Sequence, residues 1–359
     1  MRYRINEINE EIAWHPAAFA ERCEAEYDAR VKEAARAISE NVGKSPVVLL
    51  SGPSGAGKTT TARRIEDELD KSGLECHTIS MDNYFKTIDP KTVPRTPEGD
   101  IDFESPKMLD MDLLNEHFEA LREHKEIRIP YFMFARQKRS ASQFTRLRLG
   151  DNEVAIFEGI HALNDEITDK NPDAFGLYIS AMAEYELEDG AVWKPEWTRL
   201  LRRVVRDNNF RGSDAKFTMS LWENVMRGER AHITPFIPKA RVKVDSTVAY
   251  ELPLLRNKAL PLLADIEVGM PGYDEISKLA PFIEEFRPMP DEYCPAQSLL
   301  REFIGGGVYE YNLSVSRLCD AREKRVLMLT AVGVSCPTFV LQQSLNTMLS
   351  LAPLSVIAL

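Results

Sequence analysis

Cysteine is scarce in this chain, with five residues in 359. Cys23, Cys76, Cys294, Cys319 and Cys336 form neither a CxxC pair nor a His/Cys spacing suited to zinc. That excludes a disulfide framework, and free thiols in a reducing, cytoplasmic compartment are expected. Internal repeats are also lacking. So is any surplus of positive charge: 45 Lys and Arg against 56 Asp and Glu leave a formal net charge of -11. Such a chain is not built to coat nucleic acid or anionic membrane, and no nucleic-acid partner is expected. The first residues, MRYRINEINEEIAWHP, are charged and have no long apolar run, which does not fit a signal peptide. From Val326 to Leu359 it is charge that is missing altogether. Gly333, Pro337 and Pro353 break that segment, and its apolar core is short for a bilayer span, so no stable membrane insertion is expected. Packing on the body, packing on a partner, a poorly ordered tail and a membrane-associated segment all stay open for it.

What is present is a strand-then-helix rhythm. Residues 16–42 place Phe19, Cys23, Tyr27, Val31, Ala35 and Ile38 three or four apart, a helical apolar stripe. The run PVVLL follows, suited to a central strand covered on both faces. Further strands are expected at 77–81, 154–157, 177–180 and 242–245, and helices at 59–71, 109–124, 196–208 and 273–286. Alternation of this kind predicts a mostly parallel sheet with helices on both faces. Residues 87–106 are irregular, and residues 128–148 read as a hairpin excursion.

The sharpest motif is GPSGAGKT, from Gly52 to Thr59, lying between PVVLLS and the helix-forming TTARRIEDEL. It matches G-x-x-x-x-G-K-[ST], and the strand and helix on either side are the context that motif requires. Gly52, Gly55 and Gly57 let the backbone turn its N–H groups inward, with Ser54 and Ala56 between them. Lys58 meets β- and γ-phosphates, Thr59 offers a hydroxyl to magnesium, and the helix starting near Thr59 and Thr60 adds its positive end. ATP and Mg2+ are the expected cofactors. Asp82 and Glu158 each follow an apolar strand, which brings both to the carboxyl edge beside Lys58. Glu158 then suits magnesium. Asp82 suits orientation or deprotonation of an acceptor hydroxyl, with a further contact to the metal. The plainer alternative for each is a solvated acid or a helix cap. Arg199, Arg202, Arg203, Arg206 and Arg211 crowd one helical stretch and its exit. They read either as a solvated face paired to acids or as a lid neutralising charge on a transferring phosphoryl.

These stretches together resemble the uridine kinase and phosphoribulokinase family. The shared segments are SGPSGAGKTT, ISMDNYF, DIDFESP, IFEGIHALN, TRLLRRVVRDNNFRG and REFIGG, spread over roughly residues 45–307. They look most like the uridine-kinase-like domain found in some bacteria behind a threonyl-tRNA-synthetase-like region. Here a short helical segment, residues 1–44, takes the place of that region. The resemblance implies a P-loop nucleoside triphosphate hydrolase fold with a helical lid over residues 45–307, and it stops before the tail, 308–359. It implies that Asp82 is the base on a ribose 5'-hydroxyl and that Phe103 and Glu104 bind base and ribose. In similar uridine-cytidine kinases the second of that pair is usually Asp, so Glu104 departs from the pattern. A Tyr and a His that contact the pyrimidine fall, in PYFMFARQKR, on Phe132 and Gln137, so the tyrosine hydroxyl and the histidine are missing. Tyr84 of ISMDNYF is placed with the acceptor-binding residues, and Arg203, Arg206 and Arg211 with those approaching phosphates or nucleoside. The expected activity is transfer of the ATP γ-phosphoryl to a small-molecule hydroxyl, with a nucleoside such as uridine the first candidate. The alternatives are a sugar or sugar-phosphate kinase, for which Arg136, Lys138 and Arg139 are available, and an ATP-binding regulatory protein. A homo-oligomer stays open.

Overall fold

The computed structural model describes residues 1–99, 101–133 and 136–309; the uncharged tail lies outside the described residues. In chain order the strands are β1 (Arg2–Arg4), β2 (Val47–Ser51), β3 (Glu75–Ser80), β4 (Ile127–Met133), β5 (Lys138–Leu147), β6 (Glu153–Glu158), β7 (Phe175–Ser180), β8 (Glu184–Glu186), β9 (Val192–Trp193) and β10 (Val242–Asp245). The helices are α1 (Ile5–Trp14), α2 (Pro16–Asn41), α3 (Lys58–Lys71), α4 (Met111–Arg122), α5 (Asp165–Thr168), α6 (Pro195–Phe210), α7 (Ala215–His232), α8 (Glu251–Leu263), α9 (Tyr273–Glu284) and α10 (Arg301–Ile304).

The central sheet has the order β10-β7-β2-β6-β3, with every pair parallel. Side chains alternate across a strand, and here the alternation divides each run between two cores. Val48 and Leu50 of β2, with Val154 and Ile156 of β6, join the core that includes α2, α3, α6, α8 and α9. Val47 and Leu49, with Ala155 and Phe157, join the opposite core under α4 and α5. A strand covered on both faces must be apolar at every position, which is why PVVLL reads as an unbroken run. The structure is thus an α/β fold with a parallel sheet flanked by helices, as expected.

Two features depart from the sequence reading. The strand expected to run into Asp82 ends at Ser80, and Asp82 lies in a single 3-10 turn, Met81–Tyr84. The Ser80 hydroxyl accepts from the Asp82 N–H at 3.4 Å, and this local cap turns the chain out of the sheet. The arginine helix, read either as a solvated face paired to acids or as a lid, is built into the body as α6. Leu200, Leu201, Val204 and Val205 are buried on it, and so are Arg199 and Arg202.

The hairpin β4–β5 is antiparallel, as read. The α7 and α8 helices and the small β1-β8-β9 sheet had no counterpart in the sequence reading. The α2 helix spans the stripe read in residues 16–42 and packs on α3 and β10. Among the described residues Cys23, Cys76 and Cys294 are free and buried, and no helix is long and apolar enough to cross a membrane.

Candidate active site

The loop between β2 and α3 is held open from behind by its own carbonyls. Pro53 O accepts from Lys58 Nζ at 3.0 Å and Ser54 O from Arg199 Nη1 at 3.3 Å. Gly55 O accepts from Arg202 Nη1 at 3.2 Å, Ala56 O from Ser246 Oγ at 2.7 Å, and Gly57 O from Thr61 Oγ1 at 2.8 Å. With these oxygens held by side chains, and the Ala56 N–H bonded to the Pro53 carbonyl at 3.3 Å, the loop keeps the tight turn that a phosphate cradle needs. Gly55 and Gly57 sit at φ 75° and 79°, where a side chain is strained. The fit around them is also close. A Cβ on Gly55 would lie 2.7 Å from the Arg199 carbonyl oxygen, and one on Gly57 would lie 2.5 Å from Leu299 Cδ1. The long helix α3 begins at Lys58, so its positive end and an ammonium meet at one point.

The acids gather at the same edge. Register places Glu158, at the end of β6, between Leu50 of β2 and Ser80 of β3. Burial, helped by the charges of Asp82 and Glu302 and opposed by Lys58, pushes Glu158 up to about 7. Burial works against the charge on Lys58, and Glu158 and Glu302 offset part of that. Asp82 is exposed on its turn, and Thr59 is exposed on the first turn of α3. Among the described residues no cluster of three His, Cys, Asp or Glu could cage a metal alone. Magnesium in phosphoryl transfer does not need such a cage, because it keeps waters and takes phosphate oxygens beside one or two protein ligands. The all-oxygen set of Thr59, Glu158 and Asp82 fits that chemistry.

The residues expected to bind an acceptor include Phe103 and Glu104. Glu104 packs so closely on α7 that a Cβ on Gly228 would come within 2.4 Å of the Glu104 Cβ. Burial first, then the neighbouring charges of Asp102 and Asp82, push Glu104 up to about 7 against the pull of Arg203 and Lys58. Asp102, almost fully buried, is 3.5 Å from Arg227 of α7. Phe103 is partly buried beside them. His161, from EGIHALN, is 2% exposed and meets His232 edge-on at 6.2 Å. It lies near the carbonyls of Glu104 and His232 without closing a hydrogen bond, and burial holds it down at about 4, a neutral imidazole at ordinary pH. The sequence reading singled out neither Arg227, which α7 brings in, nor His161, which lies just after β6 within the shared stretch IFEGIHALN.

Other residues go elsewhere. Tyr84 is fully buried, bonds His117 Nδ1 through its hydroxyl at 2.8 Å and packs against Phe157, so it supports the site from within the core. Phe132 is 4% exposed and lies against Phe85, with ring centroids 5.5 Å apart. Gln137 sits in the hairpin turn at φ 50°, its carbonyl accepting from the Ile88 N–H at 3.0 Å. Arg139 bonds Asp110 at 2.9 Å and the Tyr84 carbonyl at 3.1 Å, while Arg136 and Lys138 are exposed. Of the arginine set, Arg199 pairs with Glu229 and Arg202 with Glu251, both inside the protein. Arg203 reaches Ser54 Oγ at 3.1 Å, and Arg206 reaches Glu302 at 3.2 Å. Arg211 is half-exposed and bonds Asp207. Burial opposes the charge on Asp207, but Arg211, Arg203 and Arg206 together hold its carboxyl below the usual range. Thr60 donates to Glu302 at 2.6 Å. Glu302 itself, in the REFIGG stretch, was not read as a site residue.

Comparison with known proteins identifies the family. The sequence model of the phosphoribulokinase/uridine kinase family matches residues 47–252. That is more than half of the chain, which therefore belongs to this family. A uridine kinase of Schizosaccharomyces pombe is 26% identical over 242 residues, covering 65% of this chain and 48% of that protein. A uridine kinase of Halobacterium salinarum is 28% identical over 178 residues, covering 50% of this chain and 69% of that protein. An Arabidopsis thaliana protein named inorganic pyrophosphatase TTM2 is 25% identical over 245 residues, covering 68% of this chain and 31% of that protein. The chain thus spans about half the length of the fission-yeast relative.

Proposed function

We propose that this member of the phosphoribulokinase/uridine kinase family transfers the γ-phosphoryl of ATP to a hydroxyl of a small, uncharged polyol, with a ribonucleoside such as uridine the first candidate. The observation that carries this is the charge coupling across one sheet edge. Lys58, Glu158 and Asp82 act on one another there, and Glu104 responds to Lys58, Arg203 and Asp82. That coupling supports a phosphate cradle and an acid-lined acceptor side sharing a single site. Magnesium, held by Thr59 and Glu158, would neutralise charge that develops on the phosphate oxygens. Lys58 and the loop amides hold the phosphates, and Thr59 and Glu158 hold the metal. Asp82, exposed and unencumbered by an ion pair, accepts the hydroxyl proton. Arg203, Arg206 and Arg211 offset charge on the moving phosphoryl. Glu104 binds a pair of hydroxyls and Phe103 packs on the acceptor. The stretches IFEGIHALN and REFIGG support kinship with the uridine-kinase-like domain that occurs behind a threonyl-tRNA-synthetase-like region.

Charge favours an acceptor without its own phosphate. On the acceptor side Asp82, Asp102 and Glu104 outnumber Arg203 and Arg227. Of the basic residues available to a sugar phosphate, Arg139 is committed to Asp110 and to backbone carbonyls. The test is ADP release with purified protein, ATP and a panel of nucleosides, sugars and sugar phosphates. An uncharged acceptor should stimulate release; a sugar phosphate as the best acceptor, or release indifferent to every acceptor, sinks the proposal.

Selectivity among nucleosides should be broad. Phe132 is packed away and Gln137 is held in a turn, so few polar groups remain to read a base edge. A site that leaves no polar group unpaired with the wrong ligand discriminates weakly, and kcat/KM for uridine, cytidine, adenosine and guanosine should fall within about a thousandfold. A larger preference for uridine over all three others would contradict this.

Glu104 gives the site a pH dependence. Its ionised form accepts two hydroxyls, so KM for the acceptor should rise as pH falls through about 7, and Glu104→Gln should flatten the profile. Stability runs the other way. A carboxyl raised from its ordinary 4.5 contributes most below that value, and the contribution is lost as pH rises through about 7. Glu158 is raised in the same direction, so the ligand-free protein should unfold at lower denaturant concentration at about pH 8 than at about pH 5. A denaturant midpoint that is flat or rises with pH would remove both carboxyls from this account.

A further inference from the structure

A segment beyond the family match, which ends at residue 252, reaches back into the nucleotide cradle. Leu299 closes against Gly57. Three residues on, Glu302 carries a carboxylate that is 7% exposed. One of its oxygens accepts from Thr60 Oγ1 at 2.6 Å and the other from Arg206 Nη1 at 3.2 Å. The Phe303 ring lies under the guanidinium groups of Arg202 and Arg206, at 5.2 and 5.8 Å.

Arg206 needs such a holder. Its side chain is 12% exposed, and its Nε, buried without a hydrogen bond, lies 3.8 Å from the Asp207 carboxylate, an ion pair too long to fix the plane. It repels the ammonium of Lys58. Two cations turned toward one space are stable together only with anions about them, and Glu302 is the anion that touches both the arginine and the first turn of α3. A guanidinium has five N–H groups in a rigid plane, and the bond to Glu302 uses only one edge of it. Fixing that edge orients the guanidinium, and Thr60 ties the same carboxylate to the first turn of α3.

We propose that Glu302 is a positioning residue that sets Arg206 against the terminal phosphate of the bound triphosphate, so that this distant segment determines the preference for ATP over ADP. The inference rests on the phosphate-cradle reading above, and its test needs no acceptor. The affinities of a non-hydrolysable ATP analogue and of ADP, each with magnesium, are measured by titration calorimetry on the full chain. Wild type, Glu302→Gln, Arg206→Ala and the double variant are compared, with thermal midpoints alongside. The ratio of the two affinities should favour the triphosphate in wild type and drop by about tenfold in either single variant, the loss expected for one charge-assisted hydrogen bond. The double variant should drop no further, because both changes remove one unit. If Glu302→Gln does not fold, Glu302→Asp keeps the charge but withdraws it, and the same non-additivity with Arg206→Ala is required. A normal ratio in Glu302→Gln with a reduced ratio in Arg206→Ala overturns the positioning role and leaves the phosphate-site reading standing. Additive losses in the double variant also overturn it. Failure of wild type to bind either nucleotide overturns both.

Discussion

Replacing Lys58 with alanine is expected to lower kcat by at least about a hundred- to a thousandfold, the loss typical of a preorganised charge aimed at a developing oxyanion. The fold should survive. Lys58 lies at the start of α3, where alanine is at least as good a helix former, and its ammonium bonds the Pro53 carbonyl. Steady-state ADP release at saturating ATP, with circular dichroism as the check on folding, measures the effect. The loss should appear in kcat more than in KM, because the ammonium matters most as charge shifts onto the leaving oxygen. A variant that turns over at the wild-type rate would remove the cradle assignment and the proposed activity with it.

The cradle was legible from sequence because everything it needs is local. Three glycines, a lysine and a hydroxyl are fixed by spacing, and the strand before and helix after them are short-range patterns. The sheet was legible for a related reason: β2, β6 and β7 are apolar at successive positions because both faces are covered. What failed to show was every feature settled by distant partners. Arg199 and Arg202 read as candidates for solvent or phosphate because nothing nearby in sequence announces Glu229 or Glu251, which lie on helices formed later in the chain. Glu302 meets Thr60 across 242 positions. REFIGG was visible as a shared stretch, but nothing in its six residues says that its acid faces the phosphate loop. Tyr84 and Phe132 failed differently. Each has the residue type of a ligand contact, and each is claimed by core packing, Tyr84 by His117 and Phe132 by Phe85. Asp82 was placed correctly beside the sheet edge but one turn further out than its strand implied.

The largest loss of stability should come from breaking the Arg202–Glu251 pair. Both side chains are fully buried, with Nε and Oε2 2.6 Å apart. Arg202 also donates to the Gly55 carbonyl, the Ser246 hydroxyl and the Ser246 carbonyl, which satisfies most of its N–H groups. Arg202→Met keeps the bulk of the chain but leaves Glu251 buried and unpaired, at a cost of about 3–5 kcal/mol. In thermal unfolding that is a drop in Tm of roughly 5–10 °C. The double variant Arg202→Met/Glu251→Leu removes both charges and should recover most of the loss, since an apolar pair of similar volume is often no less stable than a buried ion pair. Nucleotide binding should not recover with it. The arginine holds the Gly55 carbonyl outward, and Ser246, which it also bonds, holds that of Ala56. A double variant with restored Tm should therefore still bind ATP more weakly than wild type, because two loop carbonyls are freer to turn into the cradle and displace the inward N–H groups. Restored Tm together with restored ATP affinity would show that the pair serves stability alone. A Tm unmoved in Arg202→Met would mean that the charge on Glu251 finds another partner or a proton at little cost.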